Sequence, residues 1–311
     1  MGRRVLIFCW HNVAPTPFFA SGGAAATDGF RRQMRLLKQT AVPIGLPDAV
    51  ERLAEGRPLP PRAVVVTFDD GYRDNLAVAA PILRQEGIPA TFFLVPQFLS
   101  SPEAPWWDRL AWAVRGRRRG GATTWADVPV DAAEAGPDAT VGRLAAHLKT
   151  LDEADRQQSV KELVELFDPA GGEPSDLMMD WDEARQLAGM GFTIGSHSSR
   201  HAILSNEAPD AQLDDLSQAR ILLEQGIGPG VDLLAYPNGT EADFSHATIR
   251  AARRAGYRAA VTTIDGWNDA RTPPYALRRF VMLPQWGPAG FAVIGRHLAR
   301  QARSTAGLGR H

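Results

Sequence analysis

The stretch VVVTFDDGY at residues 64–72 decides the fold prediction for this chain. Its β-branched apolar run predicts a strand that is buried on both faces, and Gly71 predicts the turn that leaves the strand. Asp69 and Asp70 stand at the strand end. Adjacent carboxylates repel each other and are costly to bury, so a cation or a positive side chain is needed to compensate them. The stretch therefore predicts a buried strand that ends in a charged site.

A second polar cluster, SHSSRH at residues 196–201, follows another strand-like run at residues 192–195. His197 and His201 are four residues apart, a spacing that on a helical turn would place both rings on one face. Two imidazoles and one carboxylate leave open positions on a divalent metal ion, which is the arrangement of a catalytic site. The histidine spacing alone is common, and its pairing with Asp-Asp makes the metal-site prediction specific.

Strand and helix patterns alternate on both sides of these motifs, which predicts an α/β fold with parallel strands and right-handed crossovers. Residues 15–29 are predicted as a loop and residues 139–167 as helical. The alternation breaks between about residues 101 and 180, which we interpret as a helical insertion in a single domain spanning residues 1–311. The predicted strands cover residues 5–10, 64–68, 90–95, 192–195, 231–236, 257–262 and 276–283.

Composition gives no indication of a nucleic-acid or membrane partner. Hydrophobic residues make up 44% of the chain and charged residues 22%, and the formal net charge is -1. The single cysteine, Cys9, excludes an intramolecular disulfide. No run is long enough for a transmembrane helix, and the first apolar stretch is too short for a signal peptide, so we expect a cytoplasmic location. The oligomeric state is left open.

Several aromatic residues are candidates for substrate contacts. Trp106 and Trp107 could line a sugar-binding rim, because flat apolar side chains pack on pyranose faces, or they could anchor the insertion to the barrel. Tyr72, just after the predicted strand at residues 64–68, and Tyr236, at the end of the predicted strand at residues 231–236, are further candidates. The basic run at residues 115–119 is interpreted as a solvated loop.

The motifs TFDDG at residues 67–71 and HSSRH at residues 197–201 resemble those of the polysaccharide deacetylase family, also called the NodB-homology family or carbohydrate esterase family 4. Similar strings occur at residues 81–83, 87–94 and 235–239, and the resemblance covers about residues 4–100 and 180–283. It implies a distorted (β/α) barrel of about seven strands.

The resemblance also implies a set of roles. Asp70, His197 and His201 would bind a divalent metal ion, with zinc as the first expectation and cobalt or nickel as alternatives. Asp69 would be the general base that activates water, and the backbone N–H of Asn238 would stabilise the oxyanion. The implied substrate is an N-acetylated sugar.

The general acid departs from the usual pattern, because the late Leu-x-His motif of many members is not obvious here. His297 on a predicted terminal helix, residues 291–300, is a weak substitute. A circularly permuted branch, similar to poly-N-acetylglucosamine deacetylases, takes its acid histidine from an N-terminal strand. Trp10-His11-Asn12-Val13 fits that place, which changes the interpretation of His11 from a structural residue to the general acid.

A second departure concerns the arginine that would orient the base. Many members have Arg-x-Pro-Tyr where this chain has AYPN at residues 235–238, without an arginine. Arg279 resembles an arginine before the last strand of the permuted branch and could replace it, with Arg278 as the alternative. The insertion has no counterpart in minimal members, so the substrate cannot be carried over from them.

The function predicted from these residues is a metal-dependent deacetylase acting on an amino-sugar-containing glycan, lipid-linked saccharide, nucleotide sugar or glycosylated metabolite. A deformylase or an O-deacetylase would use the same groups. A catalytically inactive glycan-binding module is the alternative from another class, although such a module has no need of a free base. A closed structural metal site fits poorly, because no cysteine is placed to be a fourth ligand.

Overall fold

The computed structural model describes residues 4–19, 23–118, 124–130, 136–287 and 289–292, with side chains from residue 26 onward in the second range. The strands are β1 (Val5–Trp10), β2 (Val42–Pro43), β3 (Ala63–Phe68), β4 (Ala90–Leu94), β5 (Thr124–Trp125), β6 (Val128–Pro129), β7 (Thr193–Ser196), β8 (Leu233–Ala235), β9 (Ala259–Val261) and β10 (Phe280–Val281). The helices are α1 (Gly23–Thr40), α2 (Leu46–Ala54), α3 (Ala80–Glu86), α4 (Pro96–Leu99), α5 (Trp106–Arg115), α6 (Gly136–Leu148), α7 (Glu153–Phe167), α8 (Trp181–Gly189), α9 (Pro209–Gly226) and α10 (His246–Arg254).

A curled parallel sheet forms the centre of the fold. Seven strands follow the spatial order β10-β1-β3-β4-β7-β8-β9, and the short β2 pairs with the first half of β3. Leu277, which precedes β10, forms a parallel bridge with Val261 at the end of β9. This bridge connects the two edges of the sheet. The predicted α/β fold, a distorted (β/α) barrel of about seven parallel strands, is confirmed.

The third strand is buried along its whole length, as its apolar sequence predicts. Val64, Val66 and Phe68 belong to the apolar cluster under the outer helices. Ala63 and Val65 belong to the cluster inside the barrel. Because side chains alternate between the two faces of a strand, Thr67 and the following Asp69 continue the inner face. The Gly71 φ of 87° confirms the turn predicted at the strand end.

Two helix predictions need correction. Helix α1 begins at Gly23, inside the segment predicted as loop, because the Ala-rich run has high helix propensity and the helix packs against the end of the sheet. Its Gln33 side chain donates a hydrogen bond to the carbonyl of Leu283 at 3.0 Å. The region predicted as one helical stretch over residues 139–167 is two helices, and Asp152 caps the second by accepting the N–H of Asp155 at 2.9 Å. The predicted terminal helix and His297 lie outside the described residues from residue 293 onward.

Helices α5, α6 and α7 and the β5–β6 hairpin occupy the predicted insertion. Their apolar side chains form one cluster that also contains Tyr72, Val95 and Phe98 from the barrel. Polar contacts add to this packing, since the hydroxyl of Tyr72 donates to Asp108 at 2.7 Å and accepts from the indole of Trp107 at 2.7 Å. The insertion is therefore joined to the strand that carries the Asp-Asp pair. Whether it forms one domain with the barrel stays a prediction.

None of the helices in the described part of the chain combines the length and apolar character that a membrane crossing requires.

Candidate active site

The polar residues predicted from sequence meet at one edge of the sheet. His11 follows β1 and Asp69 follows β3, and these strands pair in register as Trp10 with Phe68. His197 follows β7, whose last residue pairs with Leu234 of β8. The carboxyl ends of parallel strands lie at the same edge, which is where α/β barrels carry their functional groups. The topology therefore brings together residues that are far apart in sequence.

Asp70 and the two histidines form a compact buried group. Asp70 Oδ1 lies 3.4 Å from Nε2 of His197 and 3.3 Å from Nε2 of His201. All three side chains are buried. The histidines converge through a loop and not on a helical turn, so that part of the sequence interpretation was wrong. Ser198 and His201 have positive φ values of 63° and 58°, and these left-handed residues turn the chain back toward Asp70.

Hydrogen bonds fix the orientation of this loop and of its first imidazole. His197 Nδ1 contacts the carbonyl oxygen of Ala235 at 2.8 Å, so Nδ1–H donates and the ring presents Nε2 to Asp70. The N–H of Ser199 donates to Asp215 Oδ1 at 2.9 Å. The ring of His201 packs against Trp107, with a centroid distance of 4.6 Å.

The pKa directions agree with an ionised carboxylate between imidazoles. Burial alone would raise the pKa of Asp70, but the two histidines lower it well below its usual range. Burial lowers the pKa of His201 to about 4, so this ring is neutral at physiological pH. A deprotonated carboxylate and a neutral imidazole are the forms in which these side chains bind metal ions.

The three residues fit a divalent metal ion. Asp70 Oδ1 is buried and has no hydrogen-bond partner among the described residues, which is costly unless a ligand compensates it. Two ligands at about 2.0–2.1 Å from a tetrahedral ion are about 3.4 Å apart, close to the separations of Asp70 Oδ1 from both imidazoles. Cys9, His11 and Asp69 form a second group within ligand distance, but there a cation would compete with the arginine that already pairs with Asp69.

Asp69 forms a bidentate ion pair with Arg279. The two guanidinium nitrogens Nη1 and Nη2 donate to Asp69 Oδ1 and Oδ2 at 2.7 and 2.6 Å. The same guanidinium donates from Nη1 to Thr67 Oγ1 at 3.1 Å and from Nε to the carbonyl of Thr262 at 2.8 Å. Arg278, the alternative, is exposed and donates to the carbonyl of Asp265 at 3.1 Å. The structure places Arg279 beside the predicted base.

The charges around Asp69 keep it ionised. Burial raises the pKa of this carboxyl, but Arg279 and then His197 oppose burial and lower the pKa below its usual value. The Cys9 thiol also lies 3.4 Å from Asp69 Oδ2. Burial raises the pKa of Cys9 well above its usual value, so the thiol is protonated and donates to the carboxylate. Side chains alternate along β1, and this alternation places Cys9 on the face that points into the barrel. It could have revealed the contact with Asp69, but the sequence analysis missed it.

His11 lies beside the metal-site candidates on a segment that Asp74 holds in place. Asp74 Oδ2 accepts the backbone N–H groups of Val13 and Ala14 at 2.7 and 2.6 Å. The side chain of Asn75 donates to the carbonyl of His11 at 2.8 Å. Sequence reasoning did not find Asp74, although DGYRDN at residues 70–75 places a third acid one helical turn after Asp70.

An open cavity of about 270 Å³ lies over these groups. Its lining includes four aromatic residues, Phe18, Phe19, Trp106 and Trp107, and also Asn238. Asn238 has a left-handed φ of 57°. The lining residues are His11, Phe18, Phe19, Asp70, Trp106, Trp107, Lys149, His201, Asn238, Thr240, Thr263, Val281 and Leu283.

The predicted aromatic contacts divide into two groups. Trp106 and Trp107 line the cavity and also pack in the apolar cluster of the insertion, so contacts support the anchoring interpretation, and the sugar-binding rim stays a prediction. Tyr72 and Tyr236 do not line the cavity, which corrects their assignment as candidate substrate contacts. Tyr72 is buried between Asp108 and Trp107. Tyr236 is buried, and its hydroxyl donates to the carbonyl of Tyr275 at 3.0 Å.

The structure defines an α/β barrel with a candidate active site at the carboxyl edge of its parallel strands, and comparison with known proteins identifies the family. The family model described as "Polysaccharide deacetylase" matches residues 56–260. The chain belongs to the polysaccharide deacetylase family.

Two curated relatives agree with this assignment. The chain is 21% identical over 230 residues to "Putative polysaccharide deacetylase YxkH" of Bacillus subtilis (strain 168), covering 74% of this chain and 55% of that protein. It is 32% identical over 94 residues to "Poly-beta-1,6-N-acetyl-D-glucosamine N-deacetylase" of Escherichia coli (strain K12), covering 30% of this chain and 14% of that protein. The chain thus spans about half the length of the first relative and a small part of the second.

Solved structures show the same fold. The deacetylase PplD of Streptococcus pyogenes in complex with acetate superposes with a TM-score of 0.61 at 16% identity, covering 94% of this chain and 97% of that chain. IcaB from Ammonifex degensii superposes with a TM-score of 0.59 at 17% identity, covering 94% of this chain and 98% of that chain. At these identities the similarity concerns the fold alone.

Replacing Arg279 with Gln should lower the free energy of unfolding by about 3–5 kcal/mol, because it leaves the buried Asp69 carboxylate uncompensated. Arg278→Gln, at the exposed neighbour, should lower it by less than about 1 kcal/mol. Urea unfolding followed by circular dichroism measures both values. Equal effects of the two substitutions would contradict the assigned ion pair.

Asp74→Asn should change how stability depends on pH. Burial raises the pKa of Asp74 to about 6 from a usual value of 3.8, so its ionisation opposes folding as pH rises from about 4 to 6. That difference corresponds to about 3 kcal/mol at most. The variant cannot ionise here, so its stability relative to the wild type should increase across this pH range. Urea unfolding of both proteins at pH 4, 5, 6 and 7 measures the effect, and a constant difference would contradict it.

Proposed function

We propose that this chain is a metal-dependent deacetylase that hydrolyses the N-acetyl group of an amino-sugar-containing substrate. The observation that supports this most directly is the buried, unpartnered Asp70 Oδ1, which faces Nε2 of both His197 and His201. The names of the polysaccharide deacetylase relatives agree with this reaction class. An aromatic cavity above the group provides space for a sugar ring.

Asp70, His197 and His201 are the residues that would hold the ion. When bound, a divalent cation supplies Lewis acidity, which polarises the amide carbonyl and lowers the pKa of water. Zinc is our first expectation for a set of two imidazoles and one carboxylate, with cobalt or nickel as alternatives.

Asp69 takes the proton of the attacking water. Its Oδ2 lies 4.0 Å from Nε2 of His197, so the carboxylate lies directly beside the ligand group. Arg279 holds the carboxylate plane through two hydrogen bonds and keeps it ionised at neutral pH. Among the described residues, Asp69 Oδ1 accepts only from Arg279 and keeps lone-pair capacity for the proton, whereas Oδ2 accepts from both Arg279 and the Cys9 thiol.

His11 gives a proton to the leaving amine nitrogen. Its ring lines the same cavity as Asp70, and the Asp74 contacts fix the backbone that follows it. Asn238 lines the cavity, and its backbone N–H makes no hydrogen bond within the described part of the chain, so it can donate to the developing oxyanion. The two stages of proton movement thus use different side chains, Asp69 for water and His11 for the amine.

The metal and base assignments make separate predictions. Asp69→Asn should retain metal but lose deacetylation, because Asn cannot take the proton, while His197→Ala should lose both metal and activity. Metal content by mass spectrometry and acetate release from N-acetylated sugars, with and without added zinc or cobalt, measure these effects. Circular dichroism shows whether each variant is folded. Normal turnover in folded Asp69→Asn would overturn the base assignment, and no acetate release with any metal would overturn the proposed reaction.

Replacing His11 with Ala should lower the rate by about 10²–10⁴, the usual contribution of one acid-base group, with metal content unchanged. His246→Ala is the matched control, because His246 is an exposed histidine on α10 that does not line the cavity. Acetate release at saturating sugar measures the rate. If the two variants behave alike, another group must protonate the amine.

A further inference from the structure

The insertion contributes a lysine to the active-site cavity that the deacetylation steps do not use. Lys149 directly follows α6 and lines the cavity together with Asp70 and Trp106. Within the described part of the chain, its ammonium group makes no ion pair and no hydrogen bond. The sequence has only three lysines, Lys38, Lys149 and Lys161. A neutral sugar has no need of an unpaired cation beside the reacting group.

Buried donors without partners among the described residues lie at and behind Trp106, which lines the cavity together with Lys149. The Arg156 side chain is fully buried and pairs with Glu153, but its Nε and Nη1 have no hydrogen-bond partner in the described residues. The guanidinium carbon lies 5.6 Å from the ring centroid of Trp106. The buried indole nitrogen of Trp106 also has no partner there. Arg156 is fully buried and does not line the cavity, so its positive charge acts on a ligand through the wall and not by direct contact.

The charges around the cavity favour a ligand that carries a negative charge. Asp69 is neutralised by Arg279, and Asp70 and Lys149 are the oppositely charged carboxylate and ammonium that line the cavity. The Asp243 carboxylate also acts on Lys149 without lining the cavity, and a divalent cation at the proposed site still leaves these groups with a net positive charge. Arg156 adds a positive charge behind the wall, compensated by Glu153. A positive cleft with apolar walls concentrates anions.

We propose that Lys149, with Arg156 and Trp106 behind it, binds an anionic group of the substrate, so that the preferred sugar carries a phosphate or a carboxylate in addition to its N-acetyl group. This inference rests on the proposed deacetylase function, and it narrows the substrate class of that site. Lys149 is a specificity-determining residue, because it contacts a part of the substrate that does not react.

The test compares substrates that differ in charge. Acetate release is measured for the methyl glycoside of N-acetylglucosamine, for the 1-phosphate and 6-phosphate of N-acetylglucosamine, and for N-acetylglucosaminuronic acid, each with the zinc-loaded protein. We expect a higher kcat/KM for at least one anionic sugar than for the neutral glycoside. Comparison of the phosphorylated sugars with the uronic acid shows whether a phosphate or a carboxylate is preferred. The advantage should shrink as salt is added, since ions screen the attraction.

Variants then test whether Lys149 causes the preference. Lys149→Met keeps an unbranched side chain without the charge and should lower the ratio of anionic to neutral kcat/KM about tenfold, the size expected for one charged hydrogen bond. Lys149→Arg should retain most of the ratio. Lys161→Met, which removes an exposed lysine of α7 that does not line the cavity, should leave it unchanged.

A binding measurement separates this inference from the proposed reaction. Calorimetric titration of the zinc-loaded His11→Ala variant, which leaves the Asp69–Arg279 pair intact, with the same sugars should give tighter binding of an anionic sugar, and this advantage should be lost on adding Lys149→Met. If the neutral glycoside is deacetylated but charge brings no advantage, or Lys149→Met keeps the ratio, the inference is overturned and the proposed function stands. If anionic sugars bind through Lys149 but no acetate is released, the deacetylase proposal fails instead.

Discussion

The structure depends most on the buried ion pair between Asp69 and Arg279. One guanidinium contacts Asp69 and Thr67 on β3 and the carbonyl of Thr262 beside β9, and it comes from the residue before β10. Strands β3 and β9 are not neighbours in the sheet, so this one side chain connects separate strands across the interior of the barrel. Burying a lone carboxylate or a lone guanidinium there would be very unfavourable, and each group is tolerable only because the other is present.

This pairing separates the roles of two neighbouring acids. Asp69 continues the alternation of β3, so its side chain points into the barrel, where Arg279 neutralises it. Asp70 has a left-handed φ of 73° and turns toward the histidines. The arginine reaches only the first acid, so the second keeps an uncompensated charge next to two imidazole nitrogens. An ordinary strand end would have pointed the two carboxylates to opposite faces of the sheet. The left-handed turn is therefore what makes a cation site possible beside a potential base.

The sequence allowed the strands and the paired motifs to be predicted because both depend on local patterns, namely apolar runs and short spacings. It could not decide between Arg278 and Arg279, which are adjacent, although the packing of Phe280 in the outer cluster leaves Arg279 on the inner face. The helical interpretation of the histidine spacing was wrong because Ser198 and His201 adopt positive φ values that their residue types do not indicate. Asp74 was missed because its partners are backbone N–H groups about 60 positions away in the chain.

The insertion is structurally coupled to the candidate active site. Trp107 packs on the ring of His201, and its indole nitrogen donates to the Tyr72 hydroxyl two residues after Asp70. The wall of the cavity is therefore the same structure that positions one imidazole of the candidate metal-site group. Because tightly packed interiors transmit small displacements, a change in the insertion core that moves Trp107 also moves His201. Lys149, which directly follows α6 and lies outside the apolar cluster that contains Trp107, lines the same cavity and can change without disturbing that packing.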